Sequence, residues 1–198
     1  MKKILGTAAA LGLATTAMAV DYNGGGGAIP DLVGGVPGQF SSSLNVPDSF
    51  ALADVDVTVN LNHTWVGDLI MTVTHGANSA ILVNRVGGTT PTSVGDSSDY
   101  GGAYRFDSQS GNSIWAAAAT AGATAPIPVG TYDTSDALTG AGNNSLDVFN
   151  GQNVSGNWTL SISDNAGLDT GVVNSWTLHA TAVPEPASLS LLALGGLA

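Results

Sequence analysis

The chain has 198 residues, which suits one domain with short appendages. Fifteen acidic residues against four Lys and Arg give a net charge of −11, and there is no cysteine. So acidic a surface repels nucleic acid and anionic lipid and attracts divalent cations; disulfides and thiol chemistry are excluded outright.

The N-terminus, MKKILGTAAALGLATTAMA, has two lysines, an apolar run from Ile4 to Ala14, and small residues at Ala17 and Ala19. This is the pattern of a secretory signal peptide spanning residues 1–19, with cleavage expected between Ala19 and Val20. Its removal leaves only Arg85 and Arg105 against the 15 acids, a net charge of −13. Residues 20–28, centred on Asn23-Gly24-Gly25-Gly26-Gly27, read as a flexible glycine-rich linker, and the folded body is expected over 29–182.

Within the body, DVDVTVNLN at 54–62 places Val55, Val57, Val59 and Leu61 on one side and Asp54, Asp56, Thr58 and Asn60 on the other. Period-two alternation over nine residues predicts a half-buried strand. Shorter strands are predicted at 69–74 and 80–84. Ile114 to Ala123 is alanine-rich but lacks charges and clear caps, and it reads as a long loop with one helical turn. Trp158, Leu160 and Ile162 alternate with Thr159, Ser161 and Ser163; Trp176, Leu178 and Ala180 alternate with Thr177, His179 and Thr181. Of the 15 acids, 14 are Asp, and Gly, Asn, Ser and Thr are abundant. That composition favours strands joined by turns over helices. The fold class is therefore all-β, a jelly-roll-like antiparallel β-sandwich of about eight strands.

After the last strand, Val183-Pro184-Glu185-Pro186 cannot continue a ladder, since proline lacks the N–H and fixes φ. The Pro184, Glu185, Pro186 motif and the apolar run from Leu189 to Ala198 resemble the PEP-CTERM sorting signal of Gram-negative, exopolysaccharide-forming bacteria. That resemblance implies an exosortase-type partner, transient membrane association through residues 183–198, and a place in the cell envelope or extracellular matrix. The basic tail of such signals does not follow. Ten apolar residues also fall short of the roughly 20 that cross a bilayer, so the segment reads as truncated.

The order HTWVGDL (63–69), RVGG (85–88), PVGTY (128–132) and FNGQNVSGNWTLSISDNAGLDTGVVNSWTL (149–178) resembles the P domain (P/Homo B domain) of subtilisin-like proprotein convertases. The family implies a jelly-roll sandwich that accompanies a subtilisin-type catalytic domain, stabilises it, and influences its calcium and pH dependence. It also implies that the Asp of the segment matching 63–69 helps to bind calcium.

The residues themselves argue against catalysis. The signatures around the Asp, His and Ser of a subtilisin are missing, and a triad needs all three in one constellation. Asp169-Thr170-Gly171 occurs once, whereas aspartic-protease chemistry needs two carboxylates sharing a proton. His63, His75 and His179 show no zinc spacing. Calcium, which takes six to eight hard oxygen ligands, is the expected cofactor, with Asp68, Asp164, Asn165 and Asp169 as ligands and Asp54 and Asp56 as neighbours close in sequence. Asp96, Asp99 and Asp107 form a further acidic stretch. The alternative for all of these is turn-capping and surface charge.

Trp65, on a turn, is the candidate platform for a sugar ring or partner, set against a role in covering the core. HTWVGDL is expected to be a structural corner in which Trp65 closes the core, His63 ties backbone, Gly67 permits the turn and Asp68 faces a loop cation. The expectation from sequence is an exported, non-catalytic, calcium-stabilised module for envelope or matrix interactions with an extracellular protein or polysaccharide. An accessory domain for a subtilisin-like endopeptidase and a carbohydrate-binding module are the alternatives.

Overall fold

The computed structural model describes residues 17–90, 92–135 and 145–184. Most of the expected signal peptide, together with Glu185, Pro186 and the apolar run after them, lies outside the described residues. Among those described, nine strands form two sheets. One sheet holds β1 (Ala19–Ile29), β9 (Gly171–Ala182), β3 (Leu52–His63), β6 (Tyr100–Phe106) and β7 (Gly130–Tyr132), in that spatial order. The other holds β2 (Gly38–Val46), β8 (Gly156–Asp164), β4 (Leu69–His75) and β5 (Asn78–Asn84).

Without β7, the order β1-β9-β3-β6 against β2-β8-β4-β5 is that of a jelly roll, and it confirms the all-β sandwich. The extra strand β7 runs parallel to β6 at the sheet edge. The core lies where the alternation places it. Val55, Val57, Val59, Leu61, Trp158, Leu160, Ile162, Trp176, Leu178 and Ala180 are all buried between the sheets. Trp158 also stacks on His75, with ring centroids 4.1 Å apart and planes 3° from parallel.

Two expectations need correction. Residues 20–28 are not a linker but most of β1, paired with β9 from Ala19 opposite Thr181 to Ile29 opposite Gly171. The glycines reflect close packing, not flexibility. A Cβ on Gly24 would stand 1.9 Å from the indole nitrogen of Trp176, whose N–H donates to Ser42 Oγ at 3.0 Å. The buried tryptophan needs a neighbour without a side chain.

Ile114 to Ala123 is not chiefly a loop either. It forms α1 (Ile114–Ala121), begun by Ser113, whose side chain accepts the Ala116 N–H at 3.3 Å. Alanine supplies the propensity and Ser113 the overlooked cap. Burial of Ile114 and Ala118, one turn apart, fixes the helix on the core.

The ends of β1 and β9 set the polarity of the molecule. Met18 O accepts the Ala182 N–H at 2.8 Å, so the chain enters and leaves the sandwich at one pole. Ile29, His63 and Gly171 end or begin their strands at the other pole, where the conspicuous loops gather.

The glycine argument predicts a contrast in thermal unfolding. Gly24→Ala should lose about 1–3 kcal/mol through overpacking against Trp176. Gly25→Ala, with nothing within 4 Å of the added methyl, should stay within about 0.5 kcal/mol of the parent. Equal midpoints for the two variants would contradict the packing of β1 on Trp176.

Candidate functional site, an acid corner at the loop pole

HTWVGDL spans the passage from β3 in one sheet to β4 in the other. His63 closes β3, and Val66–Asp68 form a 3-10 turn whose residues are all buried. The Trp65 N–H points at His63 Nδ1, at 3.2 Å, with Trp65 O 3.1 Å from the same nitrogen. His63 Nε2 meets Asp164 Oδ2 at 3.1 Å, and both side chains are fully buried. With Nδ1 accepting from Trp65, the Nε2–H donates to the carboxylate. The ring thus ties backbone, as expected, and also joins the end of β3 to the end of β8.

Gly67 is needed for a different reason from the one expected: its φ is ordinary. A Cβ there would meet Val94 O at 2.5 Å and Gly95 Cα at 2.6 Å, so the turn is pressed against the 93–96 loop. Arg85 braces the same turn, donating from Nε to Gly67 O at 3.0 Å and from Nη2 to Ser93 O at 2.7 Å. It is buried and holds φ +47°, a left-handed conformation unusual for a branchless but bulky residue. Within RVGG no local pattern marks a role for Arg85; its rarity, as one of two arginines in the chain, is the available signal.

Asp68 is 1 % exposed. Burial, first, and then the carboxylates of Asp164 and Asp169 push its pKa up to about 7; Arg85 opposes the shift and Asp31 adds to it. Arg85 Nη2 stands 4.0 Å from Asp68 Oδ1, beyond hydrogen-bond range, and that oxygen has no hydrogen-bond partner. Asp164 is also raised by burial, against the opposing bonds from the Ala166 N–H and His63, with Asp31 again adding repulsion. Asp169 accepts from Thr64 Oγ1 at 2.8 Å. Asn165 serves as a donor, its Nδ2 bonding Asp68 O at 3.0 Å and Ser163 Oγ at 2.9 Å.

The structure therefore brings Asp68, Asp164, Asn165 and Asp169 to one corner. It adds Asp31, which sequence analysis did not select, from the turn between β1 and β2. Asp31 Oδ2 accepts the Leu168 N–H at 3.0 Å, and its buried Oδ1 has no partner. No local motif marks Asp31, because its place depends on the β1–β2 turn meeting the 164–169 loop.

Asp54 and Asp56 are not at this corner. They lie toward the other end of β3, about 30 Å (Asp54) and about 23 Å (Asp56) of strand from His63 at roughly 3.3 Å per residue. Asp56 pairs with Arg105, and the charges that reach Asp54 are those of Asp107, Asp147 and Arg105. Closeness in sequence became distance along an extended strand. Trp65 is half-buried beside the corner, donates to Val94 O, and does not cover the core.

Asp99 borders a cleft of about 520 Å³ with His63, Thr64 and Thr170, and its buried Oδ1 also lacks a partner. Neither cation ligation nor nucleophilic catalysis is laid out by side chains alone. Among the described residues no three acidic or histidine side chains form a metal-holding group. His63 spends both ring nitrogens on Trp65 and Asp164.

A second chain of contacts has triad order. His179 Nδ1 meets Asp21 Oδ1 at 2.7 Å, and Nε2 meets Thr58 Oγ1 at 2.8 Å. It lies on the outward face of the sheet with the Asp21 side chain 62 % exposed. Thr58 sits on a strand paired on both sides, so neighbouring amides serve the ladder and not an oxyanion. It is a cross-strand polar ladder.

The geometry defines a jelly-roll sandwich whose distinguishing feature is a buried acid corner. Against known families, the Proprotein convertase P-domain matches residues 129–180, covering β7, β8, the 164–169 loop and most of β9. Among solved structures, the chain is similar to the serine protease of Aeromonas sobria. For the protease in complex with the chaperone ORF2, identity is 13 % and the TM-score 0.44, covering 85 % of this chain and 28 % of that one. For the serine protease of Aeromonas sobria by itself, identity is 14 % and the TM-score 0.42, covering 84 % and 27 %. The chain thus spans little more than a quarter of the solved chains it matches. No curated protein matches it.

The raised pKa of Asp68 has a signed consequence. Its folded form keeps a proton that an unfolded Asp releases near pH 4. The folded state therefore binds more protons between about pH 4 and 7, and stability in EDTA should fall as pH rises through that window. Asp68→Asn should flatten the fall, measured as thermal midpoint against pH. An unchanged slope in the variant would place the titrating group elsewhere.

Proposed function

We propose that the chain is an exported, non-catalytic module of the P-domain type that stabilises a subtilisin-like serine protease. The match over residues 129–180 carries this reading; it takes in β8 and the 164–169 loop, which bring Asp164 and Asp169 to the acid corner. The spent ring of His63 and the absence of an oxyanion arrangement around Thr58 support a role without turnover. Cleavage after Ala19 would leave β1 complete from Val20 onward, losing only its first rung. The sorting segment would leave from the same pole, with the acid corner turned away from it.

Protein purified from the culture medium should then begin at Val20 by mass and release no peptide from casein. It should also slow the thermal inactivation of the subtilisin-like protease secreted with it. Peptide release by the pure chain would sink the non-catalytic reading. An unaltered inactivation rate would sink the accessory role in favour of an envelope or matrix partner.

A second element of the proposal is a calcium ion at the acid corner. The observation that favours it is the buried Asp68 Oδ1, which has no hydrogen bond and only Arg85 at 4.0 Å, among carboxylates that raise its pKa. Calcium takes carboxylates, backbone carbonyls and water. Among the described residues no three acidic side chains form a metal-holding group by themselves, so an ion at Asp68 would need backbone carbonyls and water to complete its shell. Calcium at a hundredfold excess over its Kd should stabilise by about 2.7 kcal/mol, a rise of roughly 5–10 °C in the midpoint relative to EDTA. Identical midpoints would remove calcium from the account and leave the acids as turn-formers.

A further inference from the structure

We infer that the free edge of β1 is a self-association surface, on which a second copy of this chain adds its own β1, antiparallel about Asn23. The two five-stranded sheets then run on as one. The inference goes beyond the accessory role and does not depend on calcium.

β1 is 11 residues long and pairs with β9 alone. Met18 O takes the Ala182 N–H, and the register with β9 runs from Ala19 to Ile29 without a shift. Backbone groups alternate in direction along an antiparallel pair. The N–H and C=O of Ala19, Asp21, Asn23 and Gly25 therefore point away from β9, and all four residues are exposed. β2 borders this edge from the other sheet, and Ser42 Oγ donates to Gly25 O at 2.7 Å. A carbonyl oxygen has a second lone pair to offer an incoming strand. Edges are ordinarily blunted by lysine, proline, shortness or a cover. β7 has three residues, and the Ser135 N–H meets Leu82 O beside β5. β1 is long and has neither lysine nor proline between Ala19 and Ile29.

The sequence of β1 favours a second copy as the occupant. Its first half carries side chains and its second half is Gly24-Gly25-Gly26-Gly27. Turned about Asn23, the strand sets Val20 opposite Gly26, Asp21 opposite Gly25 and Tyr22 opposite Gly24. Each side chain but that of Asn23 thus meets a glycine, and an aromatic residue across from a strand glycine covers it. The one charge on β1 faces no like charge. Asp21 is held by His179 Nδ1 at 2.7 Å and Asn23 by Thr177 Oγ1 at 2.9 Å, so both side chains lean toward β9 and leave the edge clear. Because the same patch serves both copies, the contact closes as a two-fold dimer. A chain beginning at Val20 keeps every one of these pairs.

The test is sedimentation of the purified chain over a concentration series, joined to cross-linking. The parent should reach twice the monomer mass. Gly25→Pro removes an outward N–H without touching the ladder to β9. It should raise the dimer dissociation constant at least about tenfold, since each copy loses a donor. The chain has no cysteine, so Asn23→Cys supplies its sole thiol. Across the two-fold the Cα atoms would stand about 5.5 Å apart, within the range a disulfide spans. Mild oxidation should link that variant into dimers and leave Ser161→Cys, on the outward face of the other sheet, unlinked. Equal cross-linking of the two cysteine variants would overturn the inference. So would a dimer that folded Gly25→Pro leaves intact, since the contact would then lie elsewhere. Should Gly25→Pro fail to fold, the two cysteine variants decide.

Discussion

The buried bond between His63 and Asp164 is the constraint on which the loop pole depends. β3 and β8 belong to different sheets, and most of what joins the two sheets is apolar side-chain packing, which specifies no register. A hydrogen-bonded pair with no access to water is directional, and removing one partner of such a pair typically costs several kcal/mol. It fixes where β3 stops, and so where the 3-10 turn begins. It also draws the start of the 164–169 loop under that turn. The backbone reinforces the join, since Asn165 N–H donates to Asp68 O at 2.9 Å.

That tie has an electrostatic consequence. Bringing the two loops together puts Asp68, Asp164 and Asp169 near one another, and the β1–β2 turn adds Asp31. Against these stand His63 and Arg85; Arg85 donates to Gly67 O and Ser93 O and stands 4.0 Å from Asp68 Oδ1. The corner is therefore well bonded in its backbone and undercompensated in its charge. Apolar packing cannot remove such a surplus. Protonation of Asp68, whose pKa is pushed up to about 7, relieves it in part.

Much of the fold was legible because strands paired on a core show themselves by period-two alternation. Val55 to Leu61 and Trp158 to Ile162 are buried as the pattern required. The signal failed where packing partners, not local pattern, decide the conformation. Gly24 looks like a hinge in isolation and becomes a strand residue only because Trp176, some 150 residues later, lies over it. The site was legible in part for the same reason. Asp68, Asp164 and Asp169 flank conspicuous motifs, whereas Asp31 has no motif and reaches the corner through a tertiary contact. Asp54 and Asp56 illustrate the converse, since neighbours in sequence on an extended strand are carried away from the loop that follows it.

The distribution of charge divides the molecule further. The outward positions of the five-stranded sheet carry Asp21, Asp56, Arg105 and His179, linked in pairs across strands. The outward positions of β2, β8, β4 and β5 carry hydroxyl, amide and two isoleucine side chains but no charge, with Ser43 and Thr159 hydrogen-bonded at 2.7 Å. One sheet face is thus ionic and the other neutral. The uncompensated acids stand at the pole where loops from both sheets meet, and Met18 and Ala182, the outer ends of the first and last strands, stand at the opposite pole.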